Sequence, residues 1–255
     1  MLLCLDVGNS HIFGGVFKDK LIQLRFRHNT SPYLTSDQIG IFLKNVLREN
    51  ELNPNEVNHI AISSVVPSID YSVHAACKKY FHIEPMLLTA FAQKTLNIKT
   101  ERPNELGADL IAGAIAGTEY YPNKNLIVID FGTATTFAVI NTKKDYLGTV
   151  IAPGIRLSME ALENNTAKLP SVEISEPTTI VGKNSKESIQ AGLFYGHLGM
   201  VKETVSRIQK EQAWESAVVL ATGGFSHLFE TQNLFNAILP DLILDGLRCF
   251  HESNL

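Results

Sequence analysis

Two short segments place a carboxylate before glycine and small polar residues at the end of an apolar run. DVGNS, residues 6–10, follows LLCL, and DFGTATT, residues 130–136, follows LIVI. Glycine lets a backbone turn approach a phosphate closely, while polar side chains and free N–H groups can donate hydrogen bonds to its oxygens. The preceding aspartate can hold a hydrated divalent cation, which prefers oxygen ligands. One Asp-x-Gly is weak evidence because hairpins also contain it, but two copies in equivalent places predict a pair of phosphate-binding turns.

A further carboxylate, Asp109, lies in TERPNELGADLIAG, residues 100–113. A Pro/Asn/Gly-containing approach precedes it, and an apolar run that indicates a buried helix follows it. Such a carboxylate can accept the proton of an attacking hydroxyl. An aspartate that opens an apolar helix can equally serve as its N-cap. The residues by themselves favour neither role over the other.

A third glycine-rich turn, LATGGFS at residues 220–226, follows the strand-like run SAVVL. It could place backbone against a nucleotide base or ribose, or it could simply connect a strand to a helix. The chain contains no G-x-x-x-x-G-K-[ST] sequence and no G-x-G-x-x-G after a strand. The turns therefore match neither a Walker A loop nor a Rossmann fingerprint.

An internal repeat predicts the elements that position these turns. Residues 2–16 and 126–140 superpose at an offset of 124, the separation of Asp6 and Asp130. Each copy has the pattern of an apolar strand, an Asp-x-Gly turn and a second strand. Such a repeat predicts a fold built from two similar halves. Short continuous apolar runs are typical of strands buried on both faces, so helices must cover the sheets.

We predict strands at residues 2–5, 60–66, 126–129 and 218–221, and helices at 36–50, 68–81, 107–120, 156–164, 185–212 and 225–237. Ser36 is a candidate N-cap for the first helix. The fold class is therefore α/β, with two duplicated halves that face each other across a cleft. The predicted N-terminal domain is residues 1–122, with the first turn and Asp109. The predicted C-terminal domain is residues 123–255, with the second turn and the LATGGFS turn.

Composition excludes several partners. The 255 residues include 22 Lys and Arg against 26 Asp and Glu, and no basic run exceeds a pair of lysines. Nucleic acid and anionic membrane are therefore not expected partners. No run approaches the roughly 20 apolar residues that span a bilayer. The N-terminus MLLCLDVGNS lacks a basic segment, so we expect no signal peptide and a cytoplasmic location.

Three cysteines lie far apart, without CxxC or metal-finger spacing, at Cys4, Cys77 and Cys249. We expect them to be reduced thiols, with Cys4 buried in a strand.

The ordered motifs resemble the type III pantothenate kinases, within the sugar kinase, heat-shock ATPase and actin superfamily. The resemblance covers nearly the whole chain and rests on DVGNSH, SSVVP, NELGADL, DFGTATTF, IAPGI, NTAKLP, VGKNSKESIQAG, ATGGF and PDLILDGL. It implies two duplicated ribonuclease H-like α/β domains and a nucleotide-binding cleft. It also implies ATP-dependent phosphorylation of pantothenate to 4′-phosphopantothenate, the first step of coenzyme A biosynthesis.

The resemblance assigns roles to individual residues. Asp109 corresponds to the general base, so the resemblance favours a catalytic role for Asp109 over a role as helix N-cap. Thr133 corresponds to an ATP contact, Asp130 to the ligand of a monovalent cation (K⁺ or NH₄⁺), and Asp6 to a residue close to Mg²⁺, with water between them. The remaining ATP-binding residues would be Asp6, Val7, Gly8, Asn9, Ser10, His11, Ile12 and Phe13, and the pantothenate-binding residues Thr100, Gly107, Ala108, Asp109, Leu110 and Ser185.

Four positions depart from the family pattern. The family usually has tyrosine at the position of Thr100, so threonine leaves the pantothenate site without that aromatic ring. Leu110 stands where the family motif Gly-Ala-Asp-Arg has arginine, so a carboxylate-binding cation is missing. Ser185 replaces a threonine and keeps the hydroxyl. Thr149 stands where glycine is usual, and a β-branched residue there would be strained if the backbone needs positive φ.

Two functions follow from this comparison. The first is a working pantothenate kinase with a changed acceptor pocket, which we favour because Asp6, Asp109, Asp130 and Thr133 are all present. The second is a paralogue that binds nucleotide and acts as a regulatory or accessory protein. The resemblance also implies a homodimer.

Overall fold

The computed structural model describes residues 1–255, and the chain divides into two compact units. The first unit contains Met1–Tyr120 together with Asp241–Leu255, and the second contains Tyr121–Pro240. Each unit has a mixed sheet accompanied by helices. None of the helices is both long enough and apolar enough to cross a membrane.

The first unit has a sheet in the order β3-β2-β1-β4-β5. Strand β1 pairs antiparallel with β2 and parallel with β4. A short π-helical segment, Cys77–Phe81, directly follows the helix at Pro67–Ala76. The elements before Tyr121 are β1 (Leu2–Val7), β2 (His11–Lys18), β3 (Leu21–Asn29), α1 (Ser36–Glu49), β4 (His59–Ser64), α2 (Pro67–Ala76), β5 (Met86–Leu87), β6 (Asn97–Ile98) and α3 (Ala108–Tyr120).

The sheet strands that lie within the second unit have the order β9-β8-β7-β10-β11. Strand β7 pairs antiparallel with β8 and parallel with β10. The elements are β7 (Leu126–Phe131), β8 (Ala134–Ile140), β9 (Asp145–Pro153), α4 (Ile155–Asn164), α5 (Ser185–Glu211), β10 (Val218–Thr222) and β11 (Ala237–Ile238). The chain ends with α6 (Leu242–Glu252), which belongs to the first unit.

The two sheets confirm the internal repeat. In each unit the first strand lies at the centre, with two antiparallel strands on one side and two parallel strands on the other. Asp6 aligns with Phe13 across the antiparallel pair, whereas Asp130 aligns with Thr136, so the second turn is one residue shorter and the second strands follow an offset of 123 instead of 124. The central strands are apolar and buried because helices cover their sheets. Cys4 is fully buried in β1, as predicted, and burial raises the pKa of its thiol.

One predicted helix is wrong. Residues 225–237 do not form an α-helix: a 3₁₀ helix spans Ser226–Gln232, and the segment then enters β11. Asn233 has φ of 51°, in the left-handed region, which ends the helical turn. The Asn236 side chain then accepts from the backbone N–H of Val219 at 2.7 Å, and the backbone N–H of Asn236 donates to Val219 O at 2.8 Å. These two bonds hold the segment beside β10 in an extended form.

The start of α1 also differs from the prediction. Thr35, not Ser36, is the N-cap, and its hydroxyl accepts from the N–H of Gln38 at 3.2 Å. The Gln38 side chain accepts in return from the Thr35 N–H at 2.9 Å. This reciprocal capping box satisfies two donors at the helix start, whereas a cap at Ser36 would have no glutamine three residues later.

The C-terminal helix α6 differs most from the predicted organisation, which placed all of residues 123–255 in one domain. Its apolar side chains Leu242, Leu244 and Leu247 are fully buried. Asp241, just before the helix, forms a two-bond ion pair with Arg25 of β3, at 2.6 Å for each bond. The helix packs chiefly against α3, β1 and β4. Burial of its apolar face therefore holds this segment in the first unit.

We expect His251 of α6 to make the folded protein sensitive to acid. Its ring is buried, lies 4.6 Å from the ring of His59 and contacts Met86 Sδ through Nδ1 at 3.2 Å. Burial and the facing His59 lower the pKa of His251 from its usual 6.5, and Glu252 opposes them only partly. Because the unfolded chain then binds the proton more readily, the free energy of unfolding should fall as pH drops through 6.5.

Urea unfolding of wild type and His251→Gln across this pH range measures the effect. The variant should lose less stability on acidification than wild type does. His227→Gln, a substitution of an exposed histidine, is the control and should behave as wild type. An equal loss in wild type and His251→Gln would contradict the assignment.

Candidate active site

The first Asp-x-Gly turn lies between β1 and β2. Asp6 and Val7 end β1, and the N–H of Gly8 donates to His11 O at 3.0 Å to close the turn. Thr30, the residue after β3, braces the turn: its hydroxyl donates to Gly8 O at 2.6 Å and its N–H donates to Ser10 O at 3.0 Å. Two backbone hydrogen bonds and the Thr30 hydroxyl thus hold the turn.

The side chains of the predicted ATP-binding residues in this turn differ in their exposure to solvent. The side chains of Val7 and Ile12 are buried in the core, so only their backbone could contact a ligand. Three consecutive polar side chains are exposed at the tip, those of Asn9, Ser10 and His11. Polar donors at an accessible, rigid turn are what a phosphate-binding loop requires.

The second turn repeats this design between β7 and β8. The N–H of Gly132 donates to Ala134 O at 3.1 Å, and Thr133 is exposed at the tip. Gly154, the residue after β9, donates its N–H to Thr133 O at 3.1 Å. Thr30 and Gly154 are related by the same offset as Asp6 and Asp130. The repeat therefore extends to the residue that braces each turn.

The third turn, after β10, packs directly against Asp130. Gly223 has φ of 86°, and a Cβ at this position would overlap Asp130 Oδ1 and lie 2.6 Å from the N of Phe131. The Ser226 hydroxyl donates to Gly223 O at 2.8 Å. Only glycine combines this dihedral with so close an approach. The turn and Asp130 thus form one packed unit.

The residues around Asp130 fit a small cation. Thr136, the register partner of Asp130, has a buried hydroxyl with no hydrogen-bond partner. A carboxylate and a hydroxyl are both oxygen donors, the type that hard cations prefer. No group of three or more His, Cys, Asp or Glu side chains could hold a metal alone. A cation at Asp6 or Asp130 would therefore take its other ligands from phosphate, hydroxyl, carbonyl or water oxygens.

Asp109 is in the first turn of α3 but is not its N-cap. The helix begins at Ala108, and the N–H of Ile111 donates to Gly107 O at 3.2 Å, so Gly107 occupies the cap position. Asp109 Oδ1 accepts from the N–H of Leu110 at 2.7 Å. Burial raises the pKa of Asp109, and backbone N–H groups, including that of Leu110, oppose the rise. A carboxylate with a raised pKa is a stronger base than an exposed one.

Three of the predicted pantothenate-binding residues, Gly107, Ala108 and Leu110, are next to Asp109 in the chain. A Cβ at Gly107 would overlap Asp109 Oδ1, so glycine permits the observed carboxylate position. Ala108 is buried and Leu110 is half-buried. Thr100, before this segment, has a buried hydroxyl without a hydrogen-bond partner. No side-chain cation contributes to the pKa of Asp109, in agreement with leucine at position 110.

Ser185, the last predicted substrate residue, opens α5 in the second unit. It lines a cavity of about 650 Å³ whose wall also includes Leu162, Leu169 and Ile189. Asn184 caps the helix by accepting from the N–H of Glu187 at 3.0 Å. Apolar walls with a few polar groups are typical of small-molecule sites.

Comparison with known proteins decides the family. A family model described as "Type III pantothenate kinase" matches residues 2–207. A curated protein of that name from Legionella pneumophila (strain Corby) is 57% identical over 249 residues, with 97% of each chain covered. The chain belongs to the type III pantothenate kinases.

Solved structures agree on the fold of this pantothenate kinase family member. A protein described as a conserved putative Baf family transcriptional activator from Campylobacter jejuni matches with TM-score 0.62 and 18% identity, over 99% of this chain and 98% of that one. A putative 2-dehydro-3-deoxygalactonokinase from Sinorhizobium meliloti matches with TM-score 0.61 and 10% identity, over 99% and 96%. At these identities the likeness concerns the fold alone, an α/β architecture shared with a sugar kinase.

The predicted site residues of this type III pantothenate kinase are distributed over both units. The first unit holds the turn from Asp6 to Phe13, and also Thr100 and Gly107 to Leu110, while the second holds Asp130, Thr133 and Ser185. The sequence interpretation did not include Thr30 and Gly154, although the 124-residue offset relates them. Thr149 lies in β9 without positive φ, and its hydroxyl is hydrogen-bonded to the Tyr146 hydroxyl at 2.6 Å. The strain considered for Thr149 is therefore absent.

Proposed function

We propose that this chain transfers the γ-phosphate of ATP to the primary hydroxyl of pantothenate, giving 4′-phosphopantothenate, the first step of coenzyme A biosynthesis. Its membership of the type III pantothenate kinases carries this proposal. The two braced Asp-x-Gly turns support it, because phosphoryl transfer depends mainly on positioning and on neutralising oxygen charge.

Asp109 is the proposed general base. It accepts the proton of the pantothenate hydroxyl as that oxygen bonds to the γ-phosphorus and the bond from phosphorus to the ADP oxygen breaks. The raised pKa of Asp109 suits this role, because a base is most effective when its pKa approaches the working pH. The hydrogen bond from the Leu110 N–H fixes Oδ1, so the carboxylate keeps one orientation.

The turn from Asp6 to Phe13 and Thr133 are the proposed ATP contacts. Backbone N–H groups and the exposed polar side chains at the two tips donate to phosphate oxygens. Asp6 would orient hydrated Mg²⁺, and Asp130 with the unpartnered Thr136 hydroxyl would hold K⁺ or NH₄⁺. These cations, when bound, neutralise phosphate charge.

The pantothenate side consists of Thr100, Gly107, Ala108, Leu110 and Ser185 in this proposal. We also propose a homodimer and a cytoplasmic location, both on the family resemblance.

An ADP-release assay tests the proposed reaction. Purified protein, ATP and Mg²⁺ are supplied with pantothenate, or separately with other small alcohols and sugars, in K⁺ and then in Na⁺ buffers. We expect turnover to depend on pantothenate and to be faster in K⁺. ATP binding without turnover of any acceptor would overturn the kinase proposal. If a different alcohol or sugar is phosphorylated instead of pantothenate, that compound replaces pantothenate as the proposed substrate.

A further inference from the structure

Ser63, near the end of β4, carries a buried hydroxyl group with no hydrogen-bond partner. The residue is fully buried. A buried hydroxyl without a partner costs free energy, because it has lost its hydrogen bonds to water. Such groups are uncommon in folded proteins and can mark strain, a catalytic role or the place of a bound ion or water. The surroundings of Ser63 indicate which of these applies.

Strand register places Ser63 beside Asp6 within the first unit. The two residues are partners across the parallel pair of β1 and β4. Side chains of a strand alternate between the two faces of its sheet, and register partners in neighbouring strands share a face. The preceding partners, Leu5 and Ile62, lie in the hydrophobic core on the opposite face. Neighbouring strands are about 4.8 Å apart, a distance that serine and aspartate side chains on one face can bridge.

The internal repeat has a hydroxyl-bearing residue at the equivalent place in the second unit. Asp130 is the register partner of Thr222 across the parallel pair of β7 and β10, and Thr222 is also buried. Each of the two aspartates therefore has a buried hydroxyl residue beside it on the parallel neighbour strand. The arrangement at Ser63 is thus a shared property of the two Asp-x-Gly turns.

We propose that Ser63 is a positioning residue for Asp6, and that its hydroxyl donates to the Asp6 carboxylate when this carboxylate orients hydrated Mg²⁺ with ATP. This inference rests on the proposed function, which gives Asp6 that role. Carboxylates that hold a cation are themselves oriented by outer-shell hydrogen bonds. A carboxylate can accept several hydrogen bonds at once, so it can serve the hydrated cation and the Ser63 hydroxyl together. Because Ser63 is fully buried, its hydroxyl cannot bond to solvent instead.

Calorimetric titration of the protein with ATP, in Mg²⁺ and then in EDTA, tests the inference without any acceptor. Mg²⁺ should raise the affinity of wild type for ATP. Ser63→Ala should reduce this Mg²⁺-dependent gain by about 10-fold, the lower end for loss of an outer-shell hydrogen bond. Its ATP affinity in EDTA should change little. Ser63→Thr keeps the hydroxyl and should keep the gain.

Urea unfolding without ligand separates this role from a structural one. Removal of an unpaired buried hydroxyl should leave the free energy of unfolding of Ser63→Ala equal to or above that of wild type. Ser64→Ala is the matched control, because the Ser64 hydroxyl donates to Asp70 Oδ1 at 2.5 Å and accepts from the Val66 N–H at 3.2 Å. This control should be less stable than wild type and should keep the full Mg²⁺-dependent gain.

An unchanged Mg²⁺-dependent gain in Ser63→Ala, or an equal reduction in Ser64→Ala, would overturn the inference while the kinase proposal stands. Wild-type ATP binding that does not respond to Mg²⁺ would overturn it as well. Lower stability of ligand-free Ser63→Ala would show that the hydroxyl has a structural role instead. Wild type that gains ATP affinity from Mg²⁺ but leaves pantothenate unphosphorylated would overturn the proposed substrate and not the role of Ser63.

Discussion

Replacing Asp109 by asparagine is expected to lower the kcat for pantothenate phosphorylation by about 10²- to 10⁴-fold, the usual contribution of a general base. Asparagine has nearly the same size and keeps an Oδ1 that can accept from the Leu110 N–H, so the local hydrogen bond survives. The amide cannot accept the hydroxyl proton. ATP affinity and thermal stability should therefore stay close to wild type.

Glu105→Gln is the matched control, since Glu105 is an exposed carboxylate in the same approach segment. It should leave kcat unchanged. The pH profile adds a second readout: in wild type, activity should fall on acidification at a pH above 3.8, because burial raises the pKa of Asp109. Normal turnover in Asp109→Asn would contradict the base assignment. Loss of folding in Asp109→Asn would instead indicate a structural role for the carboxylate.

Gly223→Ala should have the second large effect, on both stability and ATP binding. Alanine at φ of 86° is strained, and its Cβ would overlap Asp130 Oδ1 and press on the Phe131 backbone. Strain and overpacking of this kind cost about 2–4 kcal/mol of unfolding free energy in total. Asp130 would have to move, so we also expect weaker ATP binding and a weaker response to K⁺. Urea unfolding and ATP titration measure both.

Gly224→Ala controls for this substitution. The neighbouring glycine lacks positive φ, and a Cβ there would meet nothing within 4 Å. Its stability and ATP affinity should match wild type. Equal behaviour of the two variants would show that the third turn does not depend on its approach to Asp130.

The sequence predicted the two central strands and their turns because their signals are local. The apolar run, the aspartate and the glycine of β1 lie within a few residues, and the repeat at β7 doubles the evidence. No such local signal predicts the position of α6. Its position depends on packing against α3 and β1 and on the ion pair from Asp241 to Arg25, which are distant in sequence. Periodicity identifies an apolar face but not its partner.

The candidate site shows the same division between local and distant determinants. The pattern around Asp109 indicated both a cap and a base, and the structure assigns the cap position to Gly107 because α3 begins at Ala108. The bracing by Thr30 and the contact of Gly223 with Asp130 depend on strand pairing.

The most direct test of the central claim is identification of the reaction product by mass spectrometry and ³¹P NMR after incubation with ATP, Mg²⁺, K⁺ and pantothenate. We predict that wild type forms pantothenate phosphorylated on its primary hydroxyl in equal amount to ADP, and that Asp109→Asn forms almost none. Wild-type protein that binds ATP yet leaves pantothenate unmodified would contradict the account.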